Sequence, residues 1–212
     1  MNARWQDTPA AVFLRLMADL MIVNIITVIC SFGVITMGAS LSAMYAVLFQ
    51  RERDDGTVAV IRTYFKAFVK NFLMATLLEL IVALVLVIAA GDFWYAANME
   101  PPIRTLFAGV GTIVGLLALI LFIQAFPQQS VYRNSLFNYL KNSLVLAMCA
   151  PGQTLLALAA WIVPWYFALT EIEVLTSFGV IYMVFGLSLP AWATVKLLKK
   201  VFNRTKQETE ES

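Results

Sequence analysis

One carboxylate stands apart from the rest of the charge in this chain. Glu79 lies inside the apolar run that begins at Phe72. At the centre of a bilayer an ionised carboxylate costs about 2.5 kcal/mol or more unless it is paired or protonated. Two roles suit such a group. It could face a cavity as a ligand for a proton or a solute, or it could make a polar contact inside a helix bundle with Asn24, Gln124 or a Ser/Thr hydroxyl. Asn24, Glu79 and Gln124 are therefore the candidate intramembrane polar site.

Little else in the chain offers chemistry. There is no histidine, which excludes histidine-zinc sites, Ser-His-Asp triads and Cys-His pairs. Cys30 and Cys149 both fall in apolar runs and read as small buried hydrophobes. No Walker-type GxxxxGK[ST], GxGxxG or CxxC pattern occurs, so nucleotide hydrolysis and redox chemistry have no sequence support. No catalytic residue, metal ligand or cofactor is assigned, and the expectation is a non-enzyme.

The elements that carry these residues are set by composition. Hydrophobic residues make up 61% of the 212 residues and charged ones 13%. A soluble domain has about a quarter of its residues charged, so lipid is the expected solvent. Crossing a hydrocarbon core of about 30 Å takes roughly 20 helical residues. The expected fold is all-α, one polytopic membrane domain over residues 1–212. Its hydrophobic segments lie at about 20–37, 38–50, 72–90, 103–126, 143–168 and 177–195, with a cytoplasmic tail at 196–212. The second segment is short, and the region from Leu20 to Phe49 reads either as one long segment or as a hairpin turning near Gly33, Gly38 and Ser40.

Charge favours the hairpin, because cytoplasmic loops carry an excess of Lys and Arg. With both termini inside, six segments place every Lys and Arg except Arg104 on the inner side. Five segments would move Arg4 and Arg15 outside. Phe93-Trp94-Tyr95 and Trp165-Tyr166-Phe167 then fall at outer ends, where aromatic belts form. The basic residues thus read as orientation signals and not as a nucleic-acid surface, and a multi-pass membrane location with both termini cytoplasmic is expected. Arg15 and Asp19, four residues apart, are expected to share a helix face at the inner end of the first segment, where they can pair with each other and where interfacial anchoring is the expected role.

Two connecting segments have amphipathic patterning. In 57–71, Val58, Ile61, Phe65, Phe68 and Phe72 recur at helical spacing while Arg62, Lys66 and Lys70 line another face. A second basic amphipathic helix is expected at about 130–142. Both should lie along the inner surface, and Arg62, Phe65, Lys66, Phe68 and Lys70 are the candidate membrane-surface or partner-docking residues.

Internal echoes suggest three related hairpins. Arg62, Phe68, Lys70-Asn71 and Leu73 match Arg133, Tyr139, Lys141-Asn142 and Leu144, and Phe32-Gly33-Val34-Ile35 recurs as Phe178-Gly179-Val180-Ile181. Gly111 and Gly115 offer a GxxxG packing face. Pro151, Pro164 and Pro190 mark places where a span could break or kink.

Asn24, Thr36-Met37-Gly38-Ala39-Ser40, Ala43, Tyr45, Phe65, Phe68 and Asn71-Phe72 together resemble the YesL-type family of bacterial integral membrane proteins. The resemblance covers about the first third of the chain. It implies a membrane protein without established catalytic residues, often encoded beside carbohydrate ABC importers and glycan-degrading enzymes. The functional expectation is an accessory or scaffolding component of carbohydrate uptake, with the lipid bilayer and ABC transporter permease subunits as partners. The alternative is a small-solute transporter or channel with Glu79 in its pathway.

Overall fold

The computed structural model describes residues 8–54 and 58–210. Arg4 and the first residue of the 57–71 segment, Thr57, lie outside them. Among the described residues the fold is entirely helical, with eight α-helices: α1 (Pro9–Cys30), α2 (Met37–Arg53), α3 (Val60–Ala97), α4 (Ile103–Val131), α5 (Leu136–Cys149), α6 (Pro151–Thr170), α7 (Ile172–Phe185) and α8 (Ser188–Glu210). Four of them, α1, α3, α4 and α6, are long and apolar enough to cross a membrane. The bent pair α7–α8, with 54° between its arms, makes a fifth candidate.

Local chemistry explains where the helices start and stop. Pro9 opens α1 at a position where its missing N–H costs nothing, and Thr8 caps it by accepting from Ala11 N at 3.3 Å. Six residues, 31–36, then turn the chain, with the Thr36 hydroxyl donating to the Gly33 carbonyl at 2.6 Å. Pro151 separates α5 from α6. The residue before a proline is pushed out of the helical region, and Ala150 sits at φ −135°, ψ 60°. The expected span at 143–168 is consequently two helices. The expected span at 177–195 likewise divides, at Gly186, into α7 and α8.

The amphipathic segment 57–71 is not a separate surface helix. It is the first part of α3, a continuous helix of 38 residues and about 57 Å long at 1.5 Å per residue. Segment 130–142 is divided by the non-helical residues 132–135 between the end of α4 and the start of α5.

The bundle is organised around α2, which packs against α1, α3, α4 and α8. Residues 38–45 of α2 are all buried. A helix buried on every side needs small residues where its neighbours approach closely, and Gly38, Ala39, Ser40, Ser42 and Ala43 supply them. α2 runs antiparallel to α3, and beyond the start of α2 the remainder of α3 packs mainly on α4. There the GxxxG pair seats one helix on the other: a Cβ on Gly111 would lie 3.3 Å from the Ala89 carbonyl oxygen, and one on Gly115 would lie 3.8 Å from Ala89 Cβ.

Gly38 is the tightest of these contacts. A Cβ there would sit 2.6 Å from the Ala75 carbonyl oxygen and 2.9 Å from Glu79 Cβ. Backbone cannot yield as a side-chain tip can, so Gly38→Ala should separate α2 from α3 and destabilise the protein by about 1–3 kcal/mol. Thermal unfolding in detergent checks this; a transition unchanged from wild type would show that the α2–α3 contact is looser than described.

Candidate functional site

The structure distributes Glu79, Asn24 and Gln124 over three places, and each side chain meets the beginning of a different helix. Glu79, half-buried on α3, accepts from Gly38 N in the first turn of α2 at 2.8 Å. Three residues earlier on α3, the Thr76 hydroxyl donates to the Ile35 carbonyl at 3.1 Å. The two bonds tie the turn and the start of α2 to α3. An N-terminal turn has four N–H groups without helical partners and carries partial positive charge, so a carboxylate from a neighbouring helix suits it.

Asn24 does the same at α8. It is fully buried. Its side-chain oxygen accepts from Leu187 N and Ser188 N, both at 2.9 Å, and its amide nitrogen donates to the Met183 carbonyl at 2.9 Å. One carboxamide thus links the end of α7 to the start of α8 across the 54° bend. Gln124 donates to the Thr154 hydroxyl at 2.9 Å, one turn into α6, and that hydroxyl in turn donates to the Ala150 carbonyl at 3.0 Å. The echo between 32–35 and 178–181 precedes two helix starts, α2 and α8, that are held in this same manner.

Other buried polar groups were not apparent from sequence. Trp161 Nε1 donates to the Thr194 hydroxyl at 3.2 Å, joining α6 to α8. The Tyr45 hydroxyl of α2 approaches both without closing a hydrogen bond. Asn71 donates to the Ser42 hydroxyl at 3.1 Å, joining α3 to α2. Nothing in the spacing of these residues marks them, because the pairs lie far apart in the chain and meet only through packing.

A charged layer closes one end of the bundle. Asp19 pairs with Arg51 at 2.9 Å, both largely buried. The expected partnership of Asp19 with Arg15 gives way because α2 presents a guanidinium directly opposite α1. Glu52 receives Lys196 at 2.9 Å and Lys199 at 3.7 Å, tying α2 to α8.

The docking candidates divide between two faces. Arg62, Lys66, Lys70 and Phe65 are exposed, together with Ile61 and Val69. Phe68 turns inward, stacks on Tyr64 with ring centroids 6.3 Å apart, and packs against the core. The buried stripe of this segment runs through Val60 and Tyr64, displaced from the Ile61–Phe65 line that hydrophobicity alone suggests.

The comparisons with known proteins bear on this same region. Residues 20–93 match the model of a family described as a protein of unknown function, DUF624. The matched stretch begins in α1 and ends in α3, so it contains the turn, α2 and the Glu79 contact. No curated protein and no solved structure matches the chain.

Removing Asn24 leaves two backbone N–H groups and a carbonyl without their partner in the interior. Asn24→Ala should therefore cost about 1–3 kcal/mol. The measure is the thermal midpoint in detergent, and a midpoint unchanged from wild type would contradict the bridging role. Arg51→Ala, which strands Asp19, should be as severe as other broken buried pairs, about 3–5 kcal/mol. The double change Asp19→Ala with Arg51→Ala should recover part of that loss in the same assay.

Proposed function

We propose that this protein is a non-catalytic scaffold of the bacterial plasma membrane, with both termini on the cytoplasmic side, acting as an accessory to carbohydrate uptake. The observation that carries the reading is the fate of the intramembrane polar groups. Glu79, Asn24 and Gln124 each hold the start of a helix, and such a role gives them structural work in the fold. Among the exposed groups available for recognition are the basic and apolar side chains of α3: Arg62, Lys66 and Lys70 beside Ile61, Phe65 and Val69. This ridge suits the anionic headgroups of the inner leaflet or an acidic surface on a permease subunit. The link to carbohydrate ABC importers rests on the resemblance carried by the α1–α3 residues.

The test is affinity purification from native membranes, comparing wild type with the triple variant Arg62→Gln, Lys66→Gln, Lys70→Gln. Wild type should bring down transporter subunits, and the variant should lose them while inserting normally. If wild type captures none, and deletion leaves growth on complex glycans unchanged, the scaffold reading fails.

A second reading draws on the partial exposure of Glu79. A carboxylate that is only half-buried could also meet a solute or proton, making the protein a small-solute transporter or channel. Reconstituted liposomes separate the two: flux abolished by Glu79→Gln would favour the pathway, and flux absent from the wild type would remove it.

A further inference from the structure

The hydrogen bonds between α2 and α3 set the depth at which the first hairpin turns. On α3, Lys70 and Trp94 are 24 residues apart, about 36 Å of helix, which brackets a hydrocarbon core of about 30 Å. Lys70 belongs at the inner boundary and Trp94 in the outer aromatic belt. Glu79 lies nine residues beyond Lys70, so it sits about 14 Å along that path, close to mid-depth. Gly38 is bonded to its carboxylate and packs on Ala75 one turn earlier, so it lies within a side-chain length of that depth.

The rest of the hairpin agrees. Four residues after Gly38, about 6 Å of helix, Ser42 is bonded to Asn71; Asn71 lies about 12 Å along α3 from Glu79, and the Asn71 and Glu79 side chains span the difference. By Arg51, α2 has travelled about 20 Å from Gly38 and meets Asp19 in the charged layer. Only the part of α1 from Asp19 to Cys30, about 17 Å, lies on the membrane side of that layer. Although α1 is long and apolar enough to span, its second half alone is too short to do so. The turn at 31–36 cannot reach the outer surface unless the Gly38–Glu79 bond breaks.

We infer that the α1–α2 hairpin is re-entrant: it enters from the inner side, turns near the bilayer centre and returns, so that its tip is a surface for lipid acyl chains. The side chains there fit that occupant, since Ile29, Phe32 and Ile35 are all exposed and Phe32 is 93% exposed. Carbonyls of the tip's irregular backbone find partners within the protein, as non-helical backbone at membrane depth requires: the Thr76 hydroxyl of α3 donates to the Ile35 carbonyl and the Thr36 hydroxyl lies against the Gly33 and Cys30 carbonyls. The hairpin begins and ends on one side of the membrane, so the distribution of Lys and Arg is the same as for two full crossings. Charge therefore does not distinguish the two topologies; position of the tip does. The complete crossings are then α3, α4, α6 and the bent pair α7–α8.

The experiment places a single cysteine at the tip, Phe32→Cys, in a background with Cys30→Ala and Cys149→Ala. A membrane-impermeant maleimide is applied to intact cells and to inverted vesicles, with Glu100→Cys in the α3–α4 connection as the outer-surface control. Labelling of Phe32→Cys should be at least about tenfold below that control from either side, and should appear after denaturation in detergent. A fluorophore attached at the same cysteine, after reconstitution, should be quenched most by lipids brominated deep in the acyl chain. Labelling from outside would restore a full crossing. Labelling from inside, or strongest quenching by shallow bromines, would place the tip at the inner surface. Either result overturns the inference.

Discussion

Backbone N–H groups at the start of a helix need partners, and in apolar surroundings water does not supply them. Much of this fold follows from that requirement, because α2, α6 and α8 all begin within apolar parts of the chain. Glu79 supplies an acceptor to α2 and Asn24 to α8. At α6 the first residue is Pro151, which has no N–H to satisfy, and Gln124 reaches the Thr154 hydroxyl one turn later. Each of these side chains comes from another helix, so satisfying a helix start also fixes which helices are neighbours.

The second determinant is how closely those neighbours approach. In lipid, apolar surface gains little by leaving its solvent, and helix association relies on close packing and interhelical hydrogen bonds. Gly38 brings the backbone of α2 against Ala75, and Gly111 brings α4 against Ala89. The close approach of α2 and α3 then allows short side chains to bond across the interface, as Ser42 does with Asn71. Small residues and short polar residues therefore act together here: the first set the spacing that the second require.

Helical character and the apolar stretches were legible in the sequence because each has a local cause; the breaks inside 130–142, 143–168 and 177–195, each read as one segment, were not. Long apolar runs and the glycine-containing turn around Gly33 act through the backbone near them. The GxxxG pair was legible for the same reason. Asp19 was assigned to Arg15 because helical spacing can identify a neighbour four residues away; it cannot identify Arg51 on the following helix. The polar site was partly legible. Glu79, Asn24 and Gln124 stand out as polar groups in apolar runs, but sequence does not show that their partners are backbone amides and a hydroxyl on three separate helices. On α3 the apolar Ile61–Phe65 line is exposed and the neighbouring Val60–Tyr64 line is buried; that burial follows from packing against other helices, which spacing along α3 does not display.

The length of α3 joins these features into one mechanical unit. A single unbroken helix carries the exposed basic residues Arg62, Lys66 and Lys70 near its start, the Asn71–Ser42 and Glu79–Gly38 links near its middle, and the Ala89 contact with α4 beyond them. Separate surface and spanning helices would be joined by a flexible connection, and the position of one would say little about the other. In a continuous helix the rise per residue is fixed, so whatever fixes the depth of Lys70 also fixes that of Glu79. Through its bond to Gly38, Glu79 sets the height of the hairpin. The polar residue in the spanning part of α3 and the basic residues at its start are thus constrained by the same helix, and the depth of the turn at 31–36 is a consequence of both.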